Sequence, residues 1–252
     1  RAYENLTLDA VAKQVATRLG LELIGKIEPI KLDRLTQQDS DLTFLSSLAD
    51  EYGYAFKVTG NKLVFHAISE LAKGKPVATQ LLQDQANVHL RDKIKDVPKA
   101  VEVKHKDPVK KQLISYRIVN GETVAAPSSA RHKTTPSGDT KKSRKRSTSA
   151  EESKAKAKAE LAKANRERTT GSWTAMGRPN LVSGNVVSLV AAGKLGGNYL
   201  ILSSQHRMIR TGGYTVDQEV CRVSAPSIGF TMDNSKPDLA LSTYGIEHEV
   251  VA

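Results

Sequence analysis

Apolar positions recur at helical spacing in two early stretches, and the period then changes to two. In "NLTLDAVAKQVATRLGLEL", Leu8, Val11, Ala12, Val15 and Leu19 share one helix face, with Thr7 placed as N-cap and Gly20 as the stop. In "QDSDLTFLSSLADEYG", Leu42, Leu45, Leu48, Ala49 and Tyr52 form a second stripe. Ser40 sits at its cap, Asp41 suits the positive N-terminal end, and Gly53 terminates it. Tyr54, Phe56 and Val58 then alternate with Ala55 and Lys57, Gly60-Asn61 supplies a two-residue turn, and "KLVF" returns. Residues 1–72 therefore read as a small α+β unit in which two amphipathic helices cover a hairpin.

After the connector "AKGKPVA" strand patterns dominate. "KAVEVKHK" sets Val101 and Val103 inward against Glu102 and Lys104, and "LISYRIV" places Ile114, Tyr116 and Ile118 on one side, with Asp107-Pro108 in the turn between them. "GETVAAPSSARHKTTPSGDT" has no period and a linker composition. Ser149-Ala150-Glu151-Glu152 fits a capping box opening an Ala/Lys/Glu-rich helix that reaches about Arg168. Its apolar stripe, Ala150, Ala157, Leu161 and Ala164, is thin. The helix is expected to lie along a surface or another subunit, and the stretch before Ser149 to be mobile.

Three further strands, "NVVSLV", "NYLILSSQHRMI" and "YTVDQEVCRV", each follow a glycine-containing turn. The strands before Ala125 and those after Gly184 are expected to share one sheet. Residues 73–225 then form a mainly antiparallel β-barrel-like unit with a linker and helix inserted at 126–172, and 226–252 is a C-terminal tail without clear period. Hydrophobic content of 39% with 5% aromatic suits several modest cores better than one dense one. No apolar run approaches the roughly 20 residues of a membrane-spanning helix. The first residues, "RAYENLTLDA", carry no signal-peptide pattern and read as the interior of a longer polypeptide.

The net charge of +11 is concentrated. Residues 131–168 hold 13 basic and five acidic side chains, a local +8 that leaves the remainder close to neutral. One reading of this run is phosphate binding, which makes a nucleic-acid-binding protein using 131–168 the alternative function. The other is a solvated connector leading into an exposed helix. Missing aromatic residues and the interspersed acids favour the connector.

Catalytic chemistry finds no constellation. The histidines at 66, 89, 105, 132, 206 and 248 show no metal-binding spacing and suit structural or surface roles. Cys221 stands alone, within a strand pattern, as a small buried hydrophobe. Asp39, Asp41, Asp50 and Glu51 read as cap and solvent face of the second helix. "GKLGG" opens no helix, and no GxSxG elbow accompanies the serines. No catalytic, cofactor-binding or metal-binding residue is assigned, and cell-wall hydrolysis is the weakest reading.

"LTQQDSDLTFLSSLADEYGYAFKVTGNKLVF" resembles the late control D family of phage tail hub proteins, which is similar to the hub portion of type VI secretion spikes and to hubs of other contractile injection systems. Downstream, "GRPNLVSGNVVSLVAAGKLGGNYLILSSQHRMIRTGGYTVDQEVCRV" resembles the barrel segment of that family. Gly177, Pro179, Gly184, Gly197, Tyr199, Ile201, His206, Gly213, Tyr214 and Thr215 occupy its marker places, and the preceding Ala/Lys helix fits as well. The likeness runs from about Leu6 to Val223. It departs at the front, where members begin with a further β domain. The resemblance implies a non-enzymatic, homotrimeric hub in a virion tail or baseplate, assembled in the host cytoplasm. Two barrel-like domains per chain would make a pseudo-sixfold ring joining the tail tube to a trimeric spike. Partners on this reading are tube, spike and other baseplate proteins.

Overall fold

The computed structural model describes residues 1–93, 98, 100–107, 112–119, 122–125, 140–143 and 149–223. In chain order its first elements are β1 (Ala2–Thr7), α1 (Leu8–Arg18), β2 (Glu22–Ile24), β3 (Lys31–Thr36), α2 (Asp41–Tyr52), β4 (Tyr54–Thr59), β5 (Lys62–Ala67) and the short α3 (Ile68–Leu71). The helical stripes form as their spacing predicts, and Leu8, Val11, Val15, Leu45 and Leu48 join Leu63 and Phe65 of the hairpin in one core. Ser40 caps α2 by accepting from the Thr43 N–H at 3.4 Å, and Gly53 closes it in the left-handed conformation, φ +79°. Thr7 makes no side-chain cap; the Leu8 N–H donates instead to the Ile30 carbonyl at 2.9 Å. Leu42 is corrected to an exposed position, and Phe44 takes its place in the core, stacked on Tyr3 at 5.7 Å.

β1 and β3, which the pattern did not announce, pair antiparallel beside the helices. Each buries one large side chain, Tyr3 and Leu32, so neither shows an alternation. The other sheet of this unit runs β2-β5-β4.

The chain continues through β6 (Pro76–Leu81), β7 (Ala86–Asp92), β8 (Ala100–Asp107), β9 (Gln112–Val119), β10 (Glu122–Ala125), β11 (Thr140–Ser143), α4 (Ala150–Arg166), β12 (Thr169–Met176), β13 (Val186–Val190), β14 (Gly197–Ile209) and β15 (Gly213–Arg222). Six of these strands make a sheet in the order β6-β13-β14-β15-β12-β7. Directions alternate from β13 to β7, and β6 is parallel to β13, so β6 and β7 run the same way. Only residues 82–85 join them. The two edges are thus halves of one kinked strand, and the sheet curls into a half-barrel. Across its interior the Trp173 indole N–H donates to Gln80 Oε1 at 2.8 Å, tying β12 to β6. Trp173 also meets Tyr199 edge to face at 5.6 Å, in a core with Val187, Ile201, Val216 and Val220. The fold class is therefore α+β, with a helix-and-hairpin unit followed by a mainly antiparallel barrel-like sheet.

One expectation about that sheet is corrected. β6 and β7 share it with the strands after Gly184, whereas β8, β9 and β10 belong to a separate four-stranded sheet, order β10-β9-β8-β11. The reason lies at the stem. β7 pairs with β12, and the Lys93 N–H donates to the Arg168 carbonyl at 2.8 Å, so the chain leaves and rejoins the half-barrel at one point. β8 to α4 form the excursion. Within the basic run, Thr140–Ser143 pairs parallel with β8 as an edge strand, which corrects its assignment as mobile. α4 is helical from Ala150, as its capping box predicts, with the Glu152 N–H donating to Ser149 Oγ at 3.1 Å. It is not a surface helix: Ala157 and Leu161 are buried against Val101 and Ile118. Residues 126–139, 144–148 and the 226–252 tail lie outside the described residues.

Candidate assembly surfaces

Several of the sequence markers of the barrel segment gather at one end of the half-barrel, where their roles are structural. His206 Nε2 lies 3.1 Å from the Leu181 carbonyl, which can only accept, so Nε2 carries a proton, and Nδ1 is hydrogen-bonded to the Tyr214 hydroxyl at 2.7 Å. The Tyr214 ring rests on Gly177, where a Cβ would fall 2.0 Å from ring carbon Cγ. Gly177, Leu181, His206 and Tyr214 thus brace the turn after β12 against the β14–β15 hairpin. Tyr199 donates its hydroxyl to the Leu195 carbonyl, and the Arg222 guanidinium donates to the Lys194 and Gly196 carbonyls, which shapes the turn at the opposite end. Cys221 is buried beside Leu200, in a cluster with Val186, and desolvation pushes its thiol up to about 11. It has the character of a small hydrophobe.

Of the remaining histidines, His66 Nδ1 lies 3.2 Å from the Ala67 carbonyl and His89 is exposed on β7. The side chain of His105 and residues 132 and 248 fall outside the described set. No group of three or more His, Cys, Asp or Glu side chains converges among the described residues. No helix among them is long and apolar enough to cross a membrane.

The acidic end of α2 is corrected from solvent face to docking face. Lys156 of α4, 8% exposed at its side chain, lies 2.6 Å from Glu152 and 2.9 Å from Glu51, and its ammonium stands over the Tyr52 ring. The Tyr52 hydroxyl donates to Glu152 Oε1 at 3.1 Å; burial and the neighbouring carboxylates raise its ionisation far above the usual range. Farther along, Lys163 meets Asp50 at 2.6 Å. Between these pairs a Cβ at Gly53 would stand 3.2 Å from Ala159 Cβ, so the helices approach closely where both side chains are minimal. Lys141 on β11 pairs with Glu160 at 3.1 Å, and Arg168 with Asp92 at 3.6 Å. Much of the described part of the basic run is therefore matched by carboxylates of the same chain. Asp41 is likewise engaged, held down to about 2 by the Arg18 guanidinium, whose Nε is 2.8 Å from its Oδ2.

Three of the exposed large apolar side chains lie at or beside the tip of the β14–β15 hairpin. Met176, Met208 and Ile209 are 79%, 80% and 49% exposed. Met176 pairs in register with Thr215, and Met208 and Ile209 with Tyr214 and Gly213, so all three lie at one end of the sheet. Strand patterning alone gave no sign of this exposure, because adjacent Met208 and Ile209 face opposite sides of β14 and carry no period of their own.

No known family profile matches the chain, and no curated protein matches it. Solved structures do. The 43 kDa tail protein of prophage MuSo2 from Shewanella oneidensis superposes with a TM-score of 0.56 at 17% identity, over 88% of this chain and 65% of that one. The tail protein from Neisseria meningitidis MC58 gives 0.56 at 13% identity, over 88% and 68%. An E. coli type VI secretion component, described as structurally similar to bacteriophage T4 tail proteins, gives 0.54 at 11% identity over 88% and 50%. The chain spans about two thirds of the first two and half of the third. Its fold is the one found in phage tail proteins and in a component of the type VI secretion system.

Proposed function

We propose that the chain is a structural hub protein of a contractile phage tail or related injection machine, of late control D type and without enzymatic activity. The observation that carries this reading is the fold likeness to tail proteins over 88% of the chain. It works as a homotrimeric ring between tail tube and central spike, located in the virion baseplate after assembly in the host cytoplasm. Residues 1–72 and 73–225 are its two structural units and 226–252 its tail. Modest separate cores are what a subunit has when part of its burial occurs between chains. Light scattering on the full-length natural chain should give three copies per particle, and immuno-gold labelling should place it at the tail end. A stable monomer at micromolar concentration would overturn the ring.

Nucleic-acid binding through 131–168 remains the alternative to test. The pairing of Lys141, Lys156, Lys163 and Arg168 with carboxylates argues against it. Titration against duplex and single-stranded DNA is expected to show weak association that fades near physiological salt. A log–log salt slope of about −5 or steeper, lost when Lys141, Lys142, Arg144, Lys145 and Arg146 become Ala, would favour the alternative.

A further inference from the structure

We infer that the β14–β15 hairpin tip is a docking surface for an acidic, apolar face of another tail protein; this inference rests on the proposed hub function and deepens it. Three observations converge on the tip. It exposes three large apolar side chains, Met176 and Ile209 on one face of the sheet and Met208 on the other. Its charge is of one sign: residues 176–180 and 205–215 contain Arg178, Arg207 and Arg210 and no Asp or Glu. The nearest carboxylate on the sheet, Asp217, is already held by Arg207 at 3.2 Å and by the Thr174 hydroxyl at 2.6 Å. A short stretch of backbone is also available. β13 pairs with β14 only as far as Leu200 and residues 181–185 cover the edge from Ile201 to His206, so among the described residues only Arg207–Ile209 of β14 lack a neighbour on that side.

The composition decides the kind of partner. Met and Arg are enriched at the centres of protein interfaces, where Arg supplies directional charged hydrogen bonds and Met an adaptable apolar surface. A second copy docking through the same tip would set Arg178, Arg207 and Arg210 against their own counterparts across a two-fold axis, which like-charge repulsion opposes. Nucleic acid would match the arginines and leave Met176, Met208 and Ile209 facing phosphate. An acidic face with exposed apolar residues satisfies both sets, and an extended segment in it can add hydrogen bonds along the last residues of β14.

The test replaces the natural full-length chain by Met208→Asp or Arg210→Glu in cells producing the particle. Complete tails are counted by electron microscopy, and the mass and melting temperature of each purified variant are measured. Both variants should keep the wild-type mass and melting temperature, because the tip is solvent-exposed, while complete tails fall by about tenfold or more. Met208→Leu and Arg210→Lys should recover most of the yield. Normal tail numbers with Met208→Asp and Arg210→Glu would overturn the inference and leave the hub reading standing. A fall in mass would overturn it by making the tip a contact between copies of this chain. Wild-type binding to phosphatidylglycerol vesicles that both variants lose would overturn it in favour of a membrane. Absence of the wild-type chain from complete tails would overturn the hub reading and this inference with it.

Discussion

The half-barrel and the seat of α4 hold their parts together by different physics. In the half-barrel, Trp173, Tyr199, Ile201 and Val216 are buried almost completely, and the polar contact across the interior from Trp173 to Gln80 serves an apolar side chain. At the α2–α4 contact a buried lysine is ringed by two carboxylates and a tyrosine, beside alanines. Apolar burial is non-directional and adds up with area. A buried ion pair barely offsets its own desolvation, yet is costly to break from one side. The first region should therefore set how stable the chain is, and the second how the excursion is oriented on the N-terminal unit.

The largest effect is expected from Trp173→Ala, which empties the interior of the half-barrel and strips Gln80 of its donor. Chemical denaturation should show a loss of about 3–5 kcal/mol; a loss below about 1 kcal/mol would mean that the half-barrel does not dominate stability. Next comes Lys156→Met, which keeps the volume but leaves Glu51 and Glu152 facing each other, at a cost of about 3 kcal/mol. Adding Glu51→Gln and Glu152→Gln should recover much of that loss. Failure to recover would show that packing, and not charge, seats α4. Gly177→Ala drives a methyl into the Tyr214 ring and should cost about 1–3 kcal/mol, with amide shifts confined to the turn after β12 and the hairpin tip.

A smaller effect concerns acid. Because Asp41 titrates at about 2 in the folded chain against an ordinary 3.8, its contribution is complete above the ordinary value and is lost as pH falls toward about 2. Asp41→Asn should flatten the stability profile across that window, and an unchanged profile would remove Arg18–Asp41 as its cause. Smallest is Lys163→Ala. Its partner Asp50 is 66% exposed, so the change should stay within about 0.5 kcal/mol and vanish in high salt.

How much was legible follows the same division. α1, α2 and the β4–β5 hairpin were readable because each buries one continuous stripe or alternates, and α4 because Ser149 and Glu152 satisfy its first N–H groups locally. β13, β14 and β15 were readable from glycine turns and apolar runs. β1 and β3 bury one large side chain apiece and show no period. β12, "TTGSWTAM", hides behind its Gly, Ser and Thr residues although Trp173 anchors the half-barrel. The docking role of Asp50 and Glu51 was invisible, since an acidic helix end has the same composition whether it faces water or a lysine about a hundred residues away.

By itself the sequence determined what depends on neighbours within a few turns: helix caps and stripes, strand period, the turn glycines, and the segregation of charge into 131–168. Only the tertiary structure decided which strands share a sheet, that β6 and β7 are one kinked strand, and that α4 belongs to a core. It also decided that the charge of α4 is answered within the chain and that Met176, Met208 and Ile209 are left exposed together. Local order follows from backbone geometry and the period of burial, which a short window records. Partnership between residues far apart follows from where the chain crosses itself, and no window of sequence contains both partners.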